Sequence, residues 1–164
     1  MKANGSSGIS ILEVLIVVAV LGIVFGIGFQ SLPRDRYLVN QAVERFERDL
    51  QRSRFNAISY NTEVTFEIGF DGATAATGYR AVPDPSAVNV QRAGFAVDLV
   101  AEGLGGVEVT AAGSCDGPPG DSEWVFDPRG VGRADGVSPL TFRHARTGFA
   151  VTLCINGYGR VERQ

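Results

Sequence analysis

Lysine is almost absent from this chain: Lys2 is the only one, and the other fourteen of its fifteen lysines and arginines are arginine. A Walker-type phosphate loop is therefore excluded, because it needs a lysine to reach the phosphates, and so is a Schiff-base lysine beyond residue 2. The glycine-dotted stretch GFDGATAATG, residues 69–78, reads as turn material and not as a nucleotide cradle. Histidine is equally scarce. His144, the sole one, has no partner at metal-ligand or triad spacing, so an exposed or half-buried structural side chain is expected there. The acids Asp116, Asp121 and Glu123 in CDGPPGDSE are read as a solvated turn in preference to a calcium loop. No metal, no cofactor and no enzymatic activity are expected. The net charge of −3 points neither to a nucleic-acid protein nor to an acidic tail.

Cysteine is limited to Cys115 and Cys154. Outside the cytoplasm the two are candidates for one disulfide; the alternative is a pair of unbonded buried thiols. A bridge closing a loop of about 40 residues would contribute roughly 4 kcal/mol in the chain-entropy model.

Long apolar runs are also missing, with one exception. SSGISILEVLIVVAVLGIVFGIGF, Ser6 to Phe29, holds most of it: the apolar run goes from Ile9 to Leu32 with only Ser10, Glu13, Gln30 and Ser31 as plainly polar members. The run is too long for a signal-peptide core of about 7–15 residues, and QSLPRDR at its end is no small-x-small cleavage site. Its length suits a membrane span of about 20 residues. Lys2 agrees weakly with a cytoplasmic N-terminus, while Arg34 and Arg36 on the far flank oppose it. Neither a signal peptide nor a plain anchor explains Glu13, since a carboxylate near the bilayer centre costs roughly 2.5–3.5 kcal/mol on insertion scales.

The order G-I-S-I-L-E-V-L-I-V-V-A-V-L, from Gly8, resembles the prepilin processing signal of type IV pilins and of the pseudopilins of type II secretion. The resemblance implies a leader at 1–8 cut after Gly8 by an inner-membrane prepilin peptidase. Ile9 would then be the N-methylated first residue, standing where Phe is usual, and Glu13 the assembly glutamate. Cleavage would create an α-ammonium at Ile9. In a filament, a buried amine beside the Glu13 of a neighbouring subunit makes two charges tolerable that are each costly alone. Gly22 and Gly26 stand at the spacing of a close helix-packing face; an ordinary glycine-rich anchor is equally compatible with them.

From Leu38 the chain turns amphipathic. Leu38, Val39, Ala42, Val43, Phe46, Leu50, Ala57 and Ile58 form one stripe at a spacing of three and four, with Glu44–Arg48 as a supporting pair on the outer face. No helix breaker falls between Arg34 and Asn61, so a helix over 33–61 is expected to continue the run 9–32, bent at Pro33, and to pack on a domain. Period-two alternation then begins with Val64, Phe66 and Ile68. GYRAV, GFAVDLV, GVEVTA, EWVFD, PLTFRH, FAVTLCI and the closing GYGRVER are further strand candidates. PDPSA, CDGPPGDSE and DPRGVGRADGVSP separate them as turns, and Trp124 and Phe126 are expected in the core. The fold class is α+β: a long N-terminal helix, membrane-spanning in its first half, packed on a mostly antiparallel β-sheet domain at 62–164.

The segment ERFERDLQRSRFNAISYNTEVTF resembles the helix-to-strand region of H-type pseudopilins (GspH) and FimT-like minor pilins. Leu50, Arg54, Ala57, Asn61 and Val64 keep that family's rhythm, with Ser53 where Ala is usual. Phe126, Gly130 and Gly157 to Val161 match its C-terminal pattern, while roughly Ala73 to Ser122 carries no match. The resemblance implies a pilin-like fold and a minor pseudopilin or minor pilin, single-pass in the inner membrane with its C-terminal domain periplasmic. Its implied partners are other pseudopilins through the N-terminal helix, the prepilin peptidase and the inner-membrane assembly platform.

Type II secretion is the leading expectation, and a type IV pilus or DNA-uptake machine the second. Six arginines follow Phe126 against three acids, Asp127, Asp135 and Glu162. Some FimT-like proteins bind DNA through a C-terminal G-R-x-R, and Gly159 and Arg160 match it. Glu162 replaces its second arginine, with Arg163 one residue late, which on a strand turns the side chain to the other face. DNA capture through Arg160 and Arg163 is the minority reading. A membrane-anchored extracytoplasmic enzyme is a third class, for which the sequence assembles no catalytic group.

Overall fold

Helix α2, Arg34–Tyr60, buries most of the apolar stripe that the spacing predicts, Val39, Ala42, Val43, Phe46, Leu50 and Ala57. Leu38 is only half-buried, and Ile58, near the helix end, is exposed. The structure, a computed structural model, describes residues 11–30, 34–69, 76–86, 92–111, 113–116, 123–133 and 136–164, with the side chains of 25–30 left aside. Gly8, Ile9, Pro33 and Asp121 therefore lie outside the described residues. The chain divides into two units, residues 1–34 and 35–164.

The first unit contains helix α1, Ile11–Gln30, whose only acid, Glu13, stands in the first turn. Its side chains are described from Ile11 to Val24, a shorter stretch than the roughly 20 residues of a crossing. Among the described residues no helix is long and apolar enough to cross a membrane.

The second unit is α2 packed on two antiparallel sheets. Strands β1 (Val64–Ile68), β2 (Gly78–Pro83), β3 (Phe95–Asp98), β5 (Glu123–Phe126) and β6 (Gly132–Arg133) form the first, in the order β3-β2-β1-β5-β6. Strands β4 (Val107–Thr110), β7 (Val137–His144), β8 (Ala150–Asn156) and β9 (Val161–Arg163) form the second, in the order β4-β7-β8-β9. An isolated bridge between Ala76 and Val109 joins the lead-in of β2 to β4. The expectation of one sheet domain is thus refined to two sheets sharing one core. Phe46 of α2 is their common contact: its ring meets Phe66, Tyr79 and Phe142 edge-on, with centroids 5.3–5.4 Å away. Such pairs favour edge-to-face geometry because ring edges are positive and faces negative.

The family-like rhythm of α2 has a local physical basis. Asn61 takes a positive φ of 47° just past the last helical residue. The N–H of Asn61 bonds the carbonyl of Ile58, and that of Thr62 the carbonyl of Ala57. These two bonds close a Schellman cap, a position that favours Gly or Asn, and they deliver Val64 buried at the start of β1. Ser53 is fully buried and satisfies its hydroxyl on the Asp49 carbonyl at 3.0 Å, which makes it a tolerable stand-in for alanine.

Two expectations are corrected in detail. The segment DPRGVGRADGVSP is not all turn, because it contains β6 and the start of β7. Pro139 is tolerated inside β7 because β4 pairs only with Thr141 to His144; no ladder bond on that side is lost at 139. Arg48 does not pair with the Glu44 carboxylate; its Nε donates to the Glu44 carbonyl at 3.2 Å.

Candidate functional site

In α1, apolar residues occur all round the helix and the described side chains are exposed, among them Ile11 at 83%, Leu15 and Ile23. A helix that is apolar on every side is one that something else covers, lipid or protein. Among the described residues no cation pairs with Glu13. This element therefore presents a continuous greasy surface with a single acid near its start.

In the second unit, the first buried acid is Asp35, in the opening turn of α2. Arg146, at the tip of the β7–β8 hairpin, donates from Nη2 to its Oδ2 at 2.7 Å. That bond holds the Asp35 carboxyl below the usual carboxylate range, against the opposing pull of burial. His144 is 6% exposed, not exposed or half-buried as expected. The alternation of β7 turns Ser138, Leu140, Phe142 and His144 inward together. Its Nδ1 accepts from the Arg146 backbone N–H at 3.3 Å, leaving Nε2 to face Asp35 Oδ1 at 3.6 Å. Nothing local in the sequence pairs Asp35 with Arg146, since 111 residues separate them; an acid opening an amphipathic helix is the only signal.

A second polar set ties α2 to the first sheet. The Tyr79 hydroxyl donates to Asp49 at 2.7 Å, and burial, then Asp49, push its ionisation above the ordinary tyrosine range. Arg45 forks onto Glu102 at 2.8 and 3.0 Å.

The C-terminal pattern resolves into two copies of one turn. Asp127 Oδ1 accepts from the N–H groups of Arg129 and Val131, and Asn156 Oδ1 accepts from those of Tyr158 and Arg160. In each turn the fourth residue, Gly130 or Gly159, bonds back to the first carbonyl at 2.8 Å and has φ near +75° (73° and 75°). A Cβ at Gly130 would stand 2.6 Å from Ile58, and one at Gly159 would stand 2.9 Å from the Phe126 ring. Phe126, Gly130 and GYGRV co-occur because the two turns pack on one another and on α2.

Beside the second turn runs a shallow groove lined by Glu47, Gln51, Arg54, Tyr158, Arg160 and Val161. Arg160 is 77% exposed and stands 3.5 Å from Glu162. Arg163 is drawn instead to α2, where it forks onto Glu47 at 2.8 and 2.9 Å, and this pairing raises its already high proton affinity. Arg133 and Arg146 likewise have carboxylates within 3.5 Å. The positive charge of this end is thus largely answered within the domain.

Cys115 and Cys154 form a disulfide, with Cα atoms 5.8 Å apart, which fastens the segment after β4 onto β8. Asp116 and Glu123 are exposed, and among the described residues no group of three or more His, Cys, Asp or Glu could hold a metal ion.

A family model for the type II transport protein GspH matches residues 42–161. The chain belongs to the GspH family. That span runs from Ala42, in the first half of α2, to the first residue of β9, so both the capped helix-to-strand rhythm and the twin turns fall inside it. This GspH-family chain is also similar to the pilin-like protein PilA1 of Thermus thermophilus. The two are 24% identical over 155 residues, covering 94% of this chain and 97% of that protein. No solved structure matches the chain. The family membership makes it a pilin-like subunit of the pseudopilin or minor-pilin type, a structural class.

Proposed function

We propose that the chain is a minor pseudopilin of type II secretion, made as a precursor and cut after Gly8 by prepilin peptidase. Ile9 becomes the N-methylated first residue. The run 9–32 holds the subunit in the inner membrane as a single pass, with 35–164 in the periplasm, until the assembly platform transfers it into a short filament. Other pseudopilins cover the run in that filament, and Glu13 sets the stagger by meeting a neighbour's terminal amine. The observation that carries this reading is α1 itself, exposed and apolar all round, with one acid in its first turn.

Glu13→Gln tests it. The variant should be processed like the unmodified protein yet fail to co-purify with the other filament subunits after crosslinking. Normal co-purification would overturn the role of Glu13.

A second reading is a minor pilin of a type IV pilus that binds DNA; the similarity to a pilin-like protein supports only its pilin part. Exposed Arg160 beside Tyr158 supports a contact there, while the engagement of Arg163 by Glu47 counts against the pair acting together. A salt-sensitive shift of linear duplex, lost in Arg160→Ala, would support it; absence of any shift at low salt would remove it.

A further inference from the structure

The start of α2 and the tip of the β7–β8 hairpin bring exposed cations and aromatics to one end of the domain. Arg146 is 76% exposed on its side chain although its terminal nitrogen bonds Asp35. Arg36 is exposed and lies over the Phe149 ring, 5.2 Å from its centroid, with no carboxylate within 4.0 Å among the described residues. Tyr37 is 62% exposed. The carboxylate among them, Asp35, is buried and already satisfied by Arg146. Asp35 and Arg146 together are neutral, so the uncompensated charge here is that of Arg36, set beside the exposed Tyr37 ring and half-buried Phe149. A cation with aromatics suits the interfacial zone of a bilayer.

Chain length alone keeps this end close to the membrane. Asp35 follows Leu32 by three residues, which span at most about 11 Å when fully extended. That is comparable with the Debye length of about 8–10 Å near physiological salt. We infer that Arg36, Tyr37, Arg146 and Phe149 form a docking patch for anionic phospholipid headgroups, which seats the domain on the bilayer before the subunit enters a filament. The inference rests on the reading of 9–32 as a membrane span. It gives a role to Arg36, whose charge on the far flank otherwise only opposes the expected orientation.

The test uses the full chain reconstituted in vesicles, with Tyr37→Trp as reporter. Trp124 is fully buried, and its signal is subtracted using the unmodified protein. Quenching of the introduced indole by a trace of headgroup spin-labelled lipid is compared between phosphatidylcholine and phosphatidylcholine mixed with phosphatidylglycerol. Arg36, the uncompensated cation, is expected to add about fivefold to surface occupancy on the anionic vesicles. The gain should vanish in high salt and fall by about that factor in Arg36→Gln. The lipid and salt comparisons need no charge-removing variant, so they stand if Arg146→Gln misfolds. Firm insertion with quenching indifferent to lipid charge would overturn this inference alone. Release of the protein by alkaline carbonate would overturn the membrane span, and the patch with it.

Discussion

Asp127 and Asn156 meet the same local demand with different chemistry. Each offers one oxygen to two backbone N–H groups in a tight turn, but only Asp127 carries charge. The N–H groups of Val131 and Arg129, with Arg133 nearby, hold its carboxyl below the ordinary aspartate range. Because the folded value is depressed, its stabilisation is present above the unfolded value of about 3.9 and is lost as pH falls through the lower folded value. Asp127→Asn should preserve the turn, as Asn156 does in its own, and lessen the loss of urea resistance between about pH 7 and about pH 3. An unchanged acid-side loss would contradict the assignment. Asn156→Ala should lower stability by about 1–2 kcal/mol, because two turn N–H groups lose their acceptor. Asp35 shows the same logic across a long separation. Its partner arginine is contributed by a distant hairpin, so no reading of nearby residues finds the pair.

At the scale of elements, α2 is the bridge between the sheets, and Phe46 is the point at which both touch it. Phe46→Ala should cost about 3–5 kcal/mol, whereas Phe55→Ala, on the exposed face of the same helix, should stay within about 0.5 kcal/mol. Equal effects in denaturant titrations would show that the helix packs differently. The buried stripe of α2 and the alternation of β1 were legible because one period dominates each segment. β6 was not, because two residues are too short to show a period and their partners lie in β5. The burial of His144 was legible in principle, as the fourth inward member of β7; its polarity argued the other way. The division into two sheets was hidden, since strand pairing is long-range and antiparallel strands of either sheet alternate alike. The disulfide adds a covalent tie across a sequence separation of 39. Changing Cys115 and Cys154 to Ser together should lower stability by roughly 4 kcal/mol, measured against the oxidised protein. No difference would mean that the unbridged loop is already confined.

As a whole, the molecule combines a domain that satisfies its own charges with an N-terminal helix that satisfies almost nothing by itself. The domain answers Asp35, Asp49, Glu47 and Glu102 internally. On the proposed function, exposed α1 is covered by lipid before assembly and by neighbouring subunits after it, and Glu13 meets a cation supplied by a neighbour. On this account the missing cation appears only when a peptidase exposes an amine at Ile9. The most direct measurement is the intact mass of the protein extracted from membranes of cells with active prepilin peptidase. The expected species is a polypeptide lacking residues 1–8 and carrying one added methyl group. A mass corresponding to the full chain from Met1 to Gln164 would contradict it.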